Sequence, residues 1–533
     1  MSLTRNLFGA LSGAAMAITA ATFMPATSFI PAFTASANAQ ANKTLVVAVP
    51  SDPASLEPGA NKAEPIGSEI ILNVFDTLVA WKAPDFSQLE GRLSDSWTIS
   101  EDGKTFTFDL RDNVKFQDGS DFDAASVKFS LERTLELNPY VKASLGMIDS
   151  IETPNSDTVV IKLKEPYQAF MSILAQPQSA IVSPAAVKKY GDDFANHPVG
   201  TGPFAFRAYE ADTRVVLDAN PDYFRGAPKL DRIIYRIIPE ASTRRLELEN
   251  GGVDVVQQQA QLSAIPSEEL KAFADNPDIN IIEMPSQIIR QFEFNNSKAD
   301  SPVADKRVRQ ALAHAIDYDG LIAGVLDNTA ARVYGPLTSN SWAYDPAITD
   351  LAPKYDPELA KSLLAEAGYK PGELSLKLYS FQGTLWGNLA TYIQANLADV
   401  GVKTEIAQTE FPSYRALHVA GDWDIALDGR QPWYNDPDAH ITIGYLSSLK
   451  DTAMTMRMPE NKELDALITK AQQEPDMAAR KALYGEIQKQ LVDHTPAAYL
   501  FSPKLIVFAR SNVDGLVINS APPLNEYWSV SKK

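Results

Sequence analysis

The residues able to do covalent or metal chemistry are few, and their spacing argues against catalysis. There is no cysteine, which removes a thiolate nucleophile, an iron–sulfur cluster, a thiolate zinc site and any disulfide framework. Five histidines remain, His197, His314, His418, His440 and His494, and none is placed at i, i+4 from another as a helical zinc pair requires. Gly200-Thr201-Gly202-Pro203-Phe204-Ala205 fits the relaxed dinucleotide fingerprint, which needs a helix directly after the glycines. The residues that follow alternate like a strand, so the run reads as a tight turn into a strand. No nucleophile elbow, phosphate-binding loop, His-Glu-x-x-His or EF-hand loop is present. Asp and Glu number 67, and no pair among them stands in a recognisable acid–base context. No catalytic residue, metal ligand or cofactor site is therefore assigned.

Two segments carry aromatic and amide groups suited to holding a ligand. One is Phe381-Gln382-Gly383-Thr384-Leu385-Trp386, the other Arg430-Gln431-Pro432-Trp433-Tyr434-Asn435-Asp436-Pro437-Asp438. Each follows a run that reads as a strand, and open α/β sheets hold ligands beyond the carboxyl ends of their strands. Tryptophan and tyrosine give flat contact surfaces with a polar handle, suited to a peptide or a sugar. Gln382, Trp386, Arg430, Trp433, Tyr434 and Asp436 are the candidates from these segments. Two alternatives stay open: Trp433 and Tyr434 could fill a hydrophobic gap, and Arg430 could pair either a ligand anion or an acid of the protein.

The elements that must position these loops alternate between strand and helix. Leu45–Val49 is an apolar, β-branched run ended by Pro50, and Ile70, Val74 and Leu78 recur at helical spacing. A strand-rich stretch follows, with alternation in Thr105–Leu110, Val159–Leu163 and Arg214–Leu217. The second half is more helical. Asp356-Pro357 and Gly368 mark the two ends of one helix, residues 304–316 carry another with Asp305 and Arg309 at pairing distance, and Met477–Val492 a third. Leu374–Tyr379, Lys403–Ala407 and Asp424–Leu427 read as strands between helices, an α/β pattern.

The 533 residues carry a formal charge of −19, which repels phosphate backbones and makes nucleic acid a poor partner. Residues 1–39 hold a single charge, Arg5, then an apolar run and Ala37-Asn38-Ala39, the layout of a cleaved export signal. No later stretch is long and apolar enough to span a bilayer, and without cysteine the mature chain cannot be a lipoprotein. A freely diffusing periplasmic protein is expected.

Six segments in order make a more specific pattern. They are residues 102–133 (DGKTFTFDLRDNVKFQDGSDFDAASVKFSLER), 199–204 (VGTGPF), 219–238 (ANPDYFRGAPKLDRIIYRII), 246–255 (LELENGGVDV), 294–317 (FNNSKADSPVADKRVRQALAHAID) and 355–369 (YDPELAKSLLAEAGY). In these the chain resembles the family 5 extracellular solute-binding proteins, the dipeptide- and oligopeptide-binding components of ABC importers. The resemblance implies a large, two-lobed α/β fold of the periplasmic binding protein type, with three subdomains, a ligand between the lobes and no catalytic activity. It implies lobe one over 40–290 plus 505–533, with an inserted subdomain at about 76–195, and lobe two over 291–504. Chain crossings between the lobes are expected near Ile289–Asn295 and Phe501–Phe508, and Ser51 and Asp52, after the first strand, join the candidate contacts. The implied partners are a small-molecule ligand (oligopeptide, opine or oligosaccharide) and a membrane permease, with the binder acting as a monomer.

At one position the chain departs from the family. Peptide binders of this family commonly place an acid three residues before the Asp-Pro of the lobe-two loop, where it pairs the ligand's α-amine. Here the Asp-Pro is Asp436-Pro437 and Trp433 occupies that place, with Asp428 and Asp438 as nearby acids. A ligand lacking that amine, such as a sugar, an opine or a modified peptide, is the alternative to an ordinary peptide. A secreted hydrolase of oligomeric substrates is the alternative of a different class.

Overall fold

The computed structural model describes residues 43–62, 64–83, 86, 88–138, 145–256, 273, 276–450, 455–519 and 524–533. The export signal read over residues 1–39 lies outside them. Among the described residues no helix is long and apolar enough to cross a membrane.

The chain begins with the strand β1 (Thr44–Val49) and the helix α1 (Pro65–Val74), which the Glu64 side chain caps. A small antiparallel sheet follows: β2 (Ser94–Ile99), β3 (Thr105–Leu110), then the helix α2 (Ala124–Leu137), β4 (Ile148–Glu152) and β5 (Thr158–Leu163). Its order is β2-β3-β5-β4, and the alternation of Thr105–Leu110 puts Phe106, Phe108 and Leu110 in one core with Val127 and Leu131 of α2. The chain then enters the large sheet through β6 (Phe204–Glu210), β7 (Arg214–Ala219), β8 (Arg232–Ile237), β9 (Val255–Val256), β10 (Ile279–Pro285) and β11 (Ile289–Phe294). Gly200 and Gly202 form the turn before β6. A Cβ at either would lie 2.4 or 2.5 Å from Val74, so these glycines serve a close approach to the end of α1.

The second half supplies α3 (Lys306–His314), β12 (Ala330–Arg332), α4 (Pro357–Glu366), β13 (Ser375–Phe381), α5 (Thr384–Asp399), β14 (Lys403–Thr409), α6 (Phe411–Ala420), β15 (Ile425–Arg430), α7 (Asp438–Tyr445), α8 (Lys462–Gln473), α9 (Met477–His494) and β16 (Ala497–Arg510). β13 pairs in parallel with β14 and with β15, joined by the crossover helices α5 and α6. In α3 the expected Asp305–Arg309 pair does not form. Asp305 caps the helix and holds the Arg307 guanidinium, whereas buried Arg309 donates to the backbone carbonyls of Val303, Ala304, His494 and Thr495. A long side chain on a buried face finds carbonyls before it finds a surface acid.

Across the large sheet the order is β14-β13-β15-β11-β16-β9-β1-β8-β7-β6, with β10 and β12 also on β16. β16 is the element shared by both halves: Ala497–Phe501 pairs with β11, and Lys504–Arg510 pairs with β10. The chain therefore passes between the two parts of the large sheet at Ser286–Ile288, just before the first stretch expected, and again at Ser502–Pro503, inside the second. The two passages are tied together, since Ser502 Oγ donates to the Ser286 carbonyl at 3.0 Å and Ser286 Oγ donates to that of Pro503.

Candidate functional site

The parallel strands β13, β14 and β15 end at Phe381, Thr409 and Arg430, and β11 starts at the same edge, with Arg290 opposite Gly429. Two constructions stand on this edge.

The first is a cavity of about 220 Å³ lined by Arg290, Phe381, Gln382, Trp386, Glu410, Phe411, Arg415, Asp428 and Gly429. Gln382 is exposed at its rim, and Trp386 lies in the first turn of α5, buried against Phe381 with ring centroids 4.9 Å apart. Phe381 stacks on Phe411 at 5.3 Å, and the Arg415 guanidinium stands 5.2 Å from the one ring and 5.1 Å from the other. Asp428 is no amine anchor waiting for a ligand, because Arg415 donates to its two oxygens at 2.8 and 2.9 Å. Behind the cavity a buried ion network continues. His418 Nε2 lies 2.9 Å from Glu293, and Arg430 donates to the same carboxylate at 3.2 Å. Burial works against the Glu293 charge, but the His418 contact and the Arg430 charge bring its pKa down to about 2. Of the two choices left open for Arg430, its carboxylate partner in the structure is therefore an acid of the protein. Glu293, His418 and Asp428 place ligand atoms within 4.8 Å of one another. Arg415 and Arg430 already neutralise both carboxylates there, which makes this an ion network and not a metal cradle.

The second construction is the loop of residues 431–438, which reaches the core of the small antiparallel sheet. Trp433 is half-buried against the core of the small sheet and shares a narrow cleft with Pro65, Ser68, Pro177, Gln178 and Leu524. Tyr434 is buried, and its hydroxyl donates to Asp438 at 2.7 Å, while the Tyr167 hydroxyl from the small-sheet core donates to the same carboxylate oxygen. Asn435 donates to the carbonyl of Phe86 at 2.9 Å. Asp436 is 5% exposed and takes both arms of Arg480, at 2.8 and 2.9 Å. Burial lowers the Arg480 pKa, but the paired carboxylate more than offsets this and holds it above the ordinary guanidinium value. Tyr434 and Asp436 thus brace the loop. Asp438, the other nearby acid, is filled by Tyr434, Tyr167 and Thr442.

Ser51 and Asp52 follow β1. Ser51 is exposed, and Asp52 accepts from the Tyr209 hydroxyl at 2.7 Å and from the Asp212 amide at 3.0 Å, which ties it to the β6–β7 hairpin. Arg290 and Arg415 line the cavity without standing among the candidates drawn from the sequence. A signal for the first exists: β11 is buried at every position, and an arginine in such a strand needs a reason.

Residues 88–452 match the family described as bacterial extracellular solute-binding proteins, family 5 Middle. A curated relative, "Probable D,D-dipeptide-binding periplasmic protein DdpA" of Escherichia coli (strain K12), is 29% identical over 495 residues, covering 91% of this chain and 93% of the relative. Among solved structures, a dipeptide binding protein from Pseudoalteromonas sp. SM9913 in complex with Met-Leu superposes with a TM-score of 0.79 at 25% identity, over 92% of this chain and 100% of that one. The binding protein AgaA of A. tumefaciens R10, in complex with agropinic acid, gives a TM-score of 0.74 at 27% identity, over 89% of this chain and 94% of that one. The chain, with its two lobes joined at paired strand crossings, belongs to family 5 of the bacterial extracellular solute-binding proteins.

Proposed function

We propose that this protein captures a peptide or peptide-like solute between its lobes in the periplasm and delivers it to the permease of an ABC importer. One observation carries the reading: the carboxyl edge of the second-lobe sheet presents both an aromatic, arginine-bearing cavity and a braced loop that contacts the first lobe. Closure then amounts to rotation at Ser286–Ile288 and Ser502–Pro503, which brings that loop onto Tyr167 and Phe86. In this reading lobe one comprises 40–290 and 505–533 with the insert at 76–195, lobe two comprises 291–504, and the exported binder works as a monomer. Gln382, Trp386 and Trp433 remain ligand contacts, Ser51 stands at the lobe-one side, and Arg430, Tyr434, Asp436 and Asp52 hold the frame.

The site's charged groups favour capture over turnover. Asp428, Asp436 and Glu293 are each locked to a cation of the protein, so none is poised to move a proton. A non-peptide ligand of the opine kind is the second reading, favoured by Trp433 at the amine-anchor place and by the likeness to AgaA. Small-angle scattering with a panel of dipeptides, tripeptides and opines tests the proposal. A ligand that shrinks the radius of gyration while being recovered unchanged supports it. Conversion of a panel member to product at an unchanged radius overturns it in favour of a hydrolase.

A further inference from the structure

A cavity of about 200 Å³ lies at the strand crossings themselves, and its lining residues are distinct from those of the cavity and the cleft described above. Its walls come from residues 283–286 at the end of β10, residues 331–333 at the end of β12, residues 338–340, and residues 502–504 of β16. β16 changes partners here: Ser502 and Pro503 pair with β12, and Lys504 is the first residue to pair with β10. Facing walls belong to different cores. Met284 packs against the core that contains β1, and Val333 belongs to the core that contains α9.

Side chains part at the first crossing. Ser286 lines the cavity, while Gln287 donates to Asn435 of the braced loop at 2.9 Å. The chain runs from β10 into β11 along one strand, and successive side chains of such a chain stand on opposite faces. The cavity therefore lies behind the crossings and the loop in front of them. Polar groups of the wall are engaged with the protein: Ser502 Oγ donates to the Ser286 carbonyl, Thr338 Oγ1 to Asn340 Oδ1 at 2.6 Å, and Lys504 to Glu283 at 2.9 Å. Across the gap Asn340 reaches the Pro285 carbonyl at 3.4 Å, a long contact.

Protein interiors pack as densely as organic crystals, and walls that face a gap forgo dispersion contacts. The structure holds the braced loop on the small-sheet core, the closed arrangement of the proposed capture cycle. Rotation about the crossings that parts the front brings the walls behind them together, so the gap shuts as the cleft opens.

We infer that residues 283–286 and 338–340 form a counter-contact behind the hinge, packed together in the open form, which holds the empty protein open and sets its affinity for solute. The inference rests on the solute-capture reading and adds a control to it. Solute binds with the affinity of the closed form reduced by the fraction of empty protein that is closed. Whatever keeps the rear walls apart, or strips them of the groups that meet, raises that fraction.

Because the chain has no cysteine, a single pair of spin labels can be placed at exposed positions, through Glu136→Cys on α2 and Glu463→Cys on α8. Pulsed-dipolar distances on the empty protein are the first readout. Ala331→Trp and Ser339→Trp each put a bulky ring into the gap from an exposed position, and Met284→Ala trims the facing wall. All three should move the empty protein toward the distance these positions have in the closed structure. Calorimetry with the most strongly bound member of the dipeptide, tripeptide and opine panel is the second readout. Affinity should rise about tenfold for either tryptophan and about threefold for Met284→Ala. Gain from both filling and trimming is the signature of a contact made only in the open form. Empty variants with wild-type distances overturn the inference, as do tryptophan variants that bind solute more weakly. Ser339→Trp, in a loop, carries the test if Ala331→Trp on β12 does not fold. If no panel member binds, solute capture itself falls, and the distances in the empty protein still decide the rear contact.

Discussion

Two segments leave neighbouring strand ends with similar composition and meet different fates. Phe381–Trp386 becomes one wall of an open cavity, with Gln382 exposed at its rim. The loop of residues 431–438 is filled by the protein's own groups, with Asp436 on Arg480, Tyr434 on Asp438, and Asn435 on the carbonyl of Phe86. The difference comes from what stands behind each loop. The long helix α9 delivers Arg480 under the second loop, while behind the first the nearest cation, Arg415, is turned to Asp428. Aromatic and amide residues after a strand therefore mark a contact surface, and the buried charges behind them decide whether the contact is internal or left for a ligand.

The sharpest break in this contrast is Asp436→Asn. It strands the Arg480 guanidinium, 3% exposed, without its carboxylate, and losing one member of a buried pair costs roughly 3–5 kcal/mol. Urea unfolding of the ligand-free protein should show that loss, and Asp436→Leu with Arg480→Met should restore more than half of it. A variant of unchanged stability that no longer binds ligand would make the two loops alike after all.

Acid should act on the braced side as well. His440, on α7 just after the loop, contacts the Gln287 carbonyl at the strand crossing at 2.8 Å. Burial brings its pKa down from 6.5 to about 4, with the Arg430 charge adding and the Gln287 carbonyl opposing. The native ring stays neutral while the unfolded chain takes up a proton first. Stability fully present above pH 6.5 is therefore lost as pH falls toward 4, by on the order of 3 kcal/mol. His494, held at about 4 chiefly by burial, titrates in the same window, so the measure is the difference between wild type and His440→Gln. Unfolding free energies at pH 7.0 and 4.5 should converge for the variant by most of that amount.

How much of this could be read in advance follows the range of each signal. β3 was legible because alternation and burial are both local, and α4 because Asp356 and Pro357 cap and open it as written. Of the two stretches expected to cross, the second contains the change of partner on β16 and the first begins just after it, since apolar extension says that a strand is buried and not which sheet it joins. The brace was not legible: Arg480 lies 44 positions from Asp436, and Tyr167 lies 271 from Asp438. Nothing within either stretch announces its partner. The same holds for Arg415, whose helix reads as an ordinary amphipathic one.

A smaller effect is expected where the lobes touch. Tyr167→Phe removes the donor to Asp438 and the 3.2 Å contact with the Tyr434 hydroxyl, yet Asp438 keeps Tyr434 and Thr442. The cost should be about 1.5 kcal/mol, near the upper end for a net hydrogen bond. It falls on the closed form alone. Ligand affinity should drop roughly tenfold with the same closed radius at saturation. A loss of stability in the ligand-free protein instead would place Tyr167 within a permanent core.

The smallest effect is expected at Trp433, the one aromatic of the braced loop that the loop does not consume. Its ring packs against the small-sheet core and shares the cleft with Pro65, Pro177 and Leu524, contacts that the proposed opening of the lobes would break. Because it is half-buried, truncation removes part of an indole's apolar area, and Trp433→Ala should weaken ligand binding by about 1 kcal/mol, roughly fivefold. The melting temperature of the ligand-free protein should stay within about a degree, since opening exposes the ring in wild type too. Trp433→Phe should recover most of the affinity and Trp433→Asp none, because an acid there would face an apolar cleft and an uncompensated burial cost. Calorimetry on the three variants decides between the loops once more. If Asp matches Trp, the loop carries an amine anchor and both strand ends serve the ligand; if Ala lowers the melting temperature by many degrees with affinity intact, Trp433 belongs to the brace and only the cavity does.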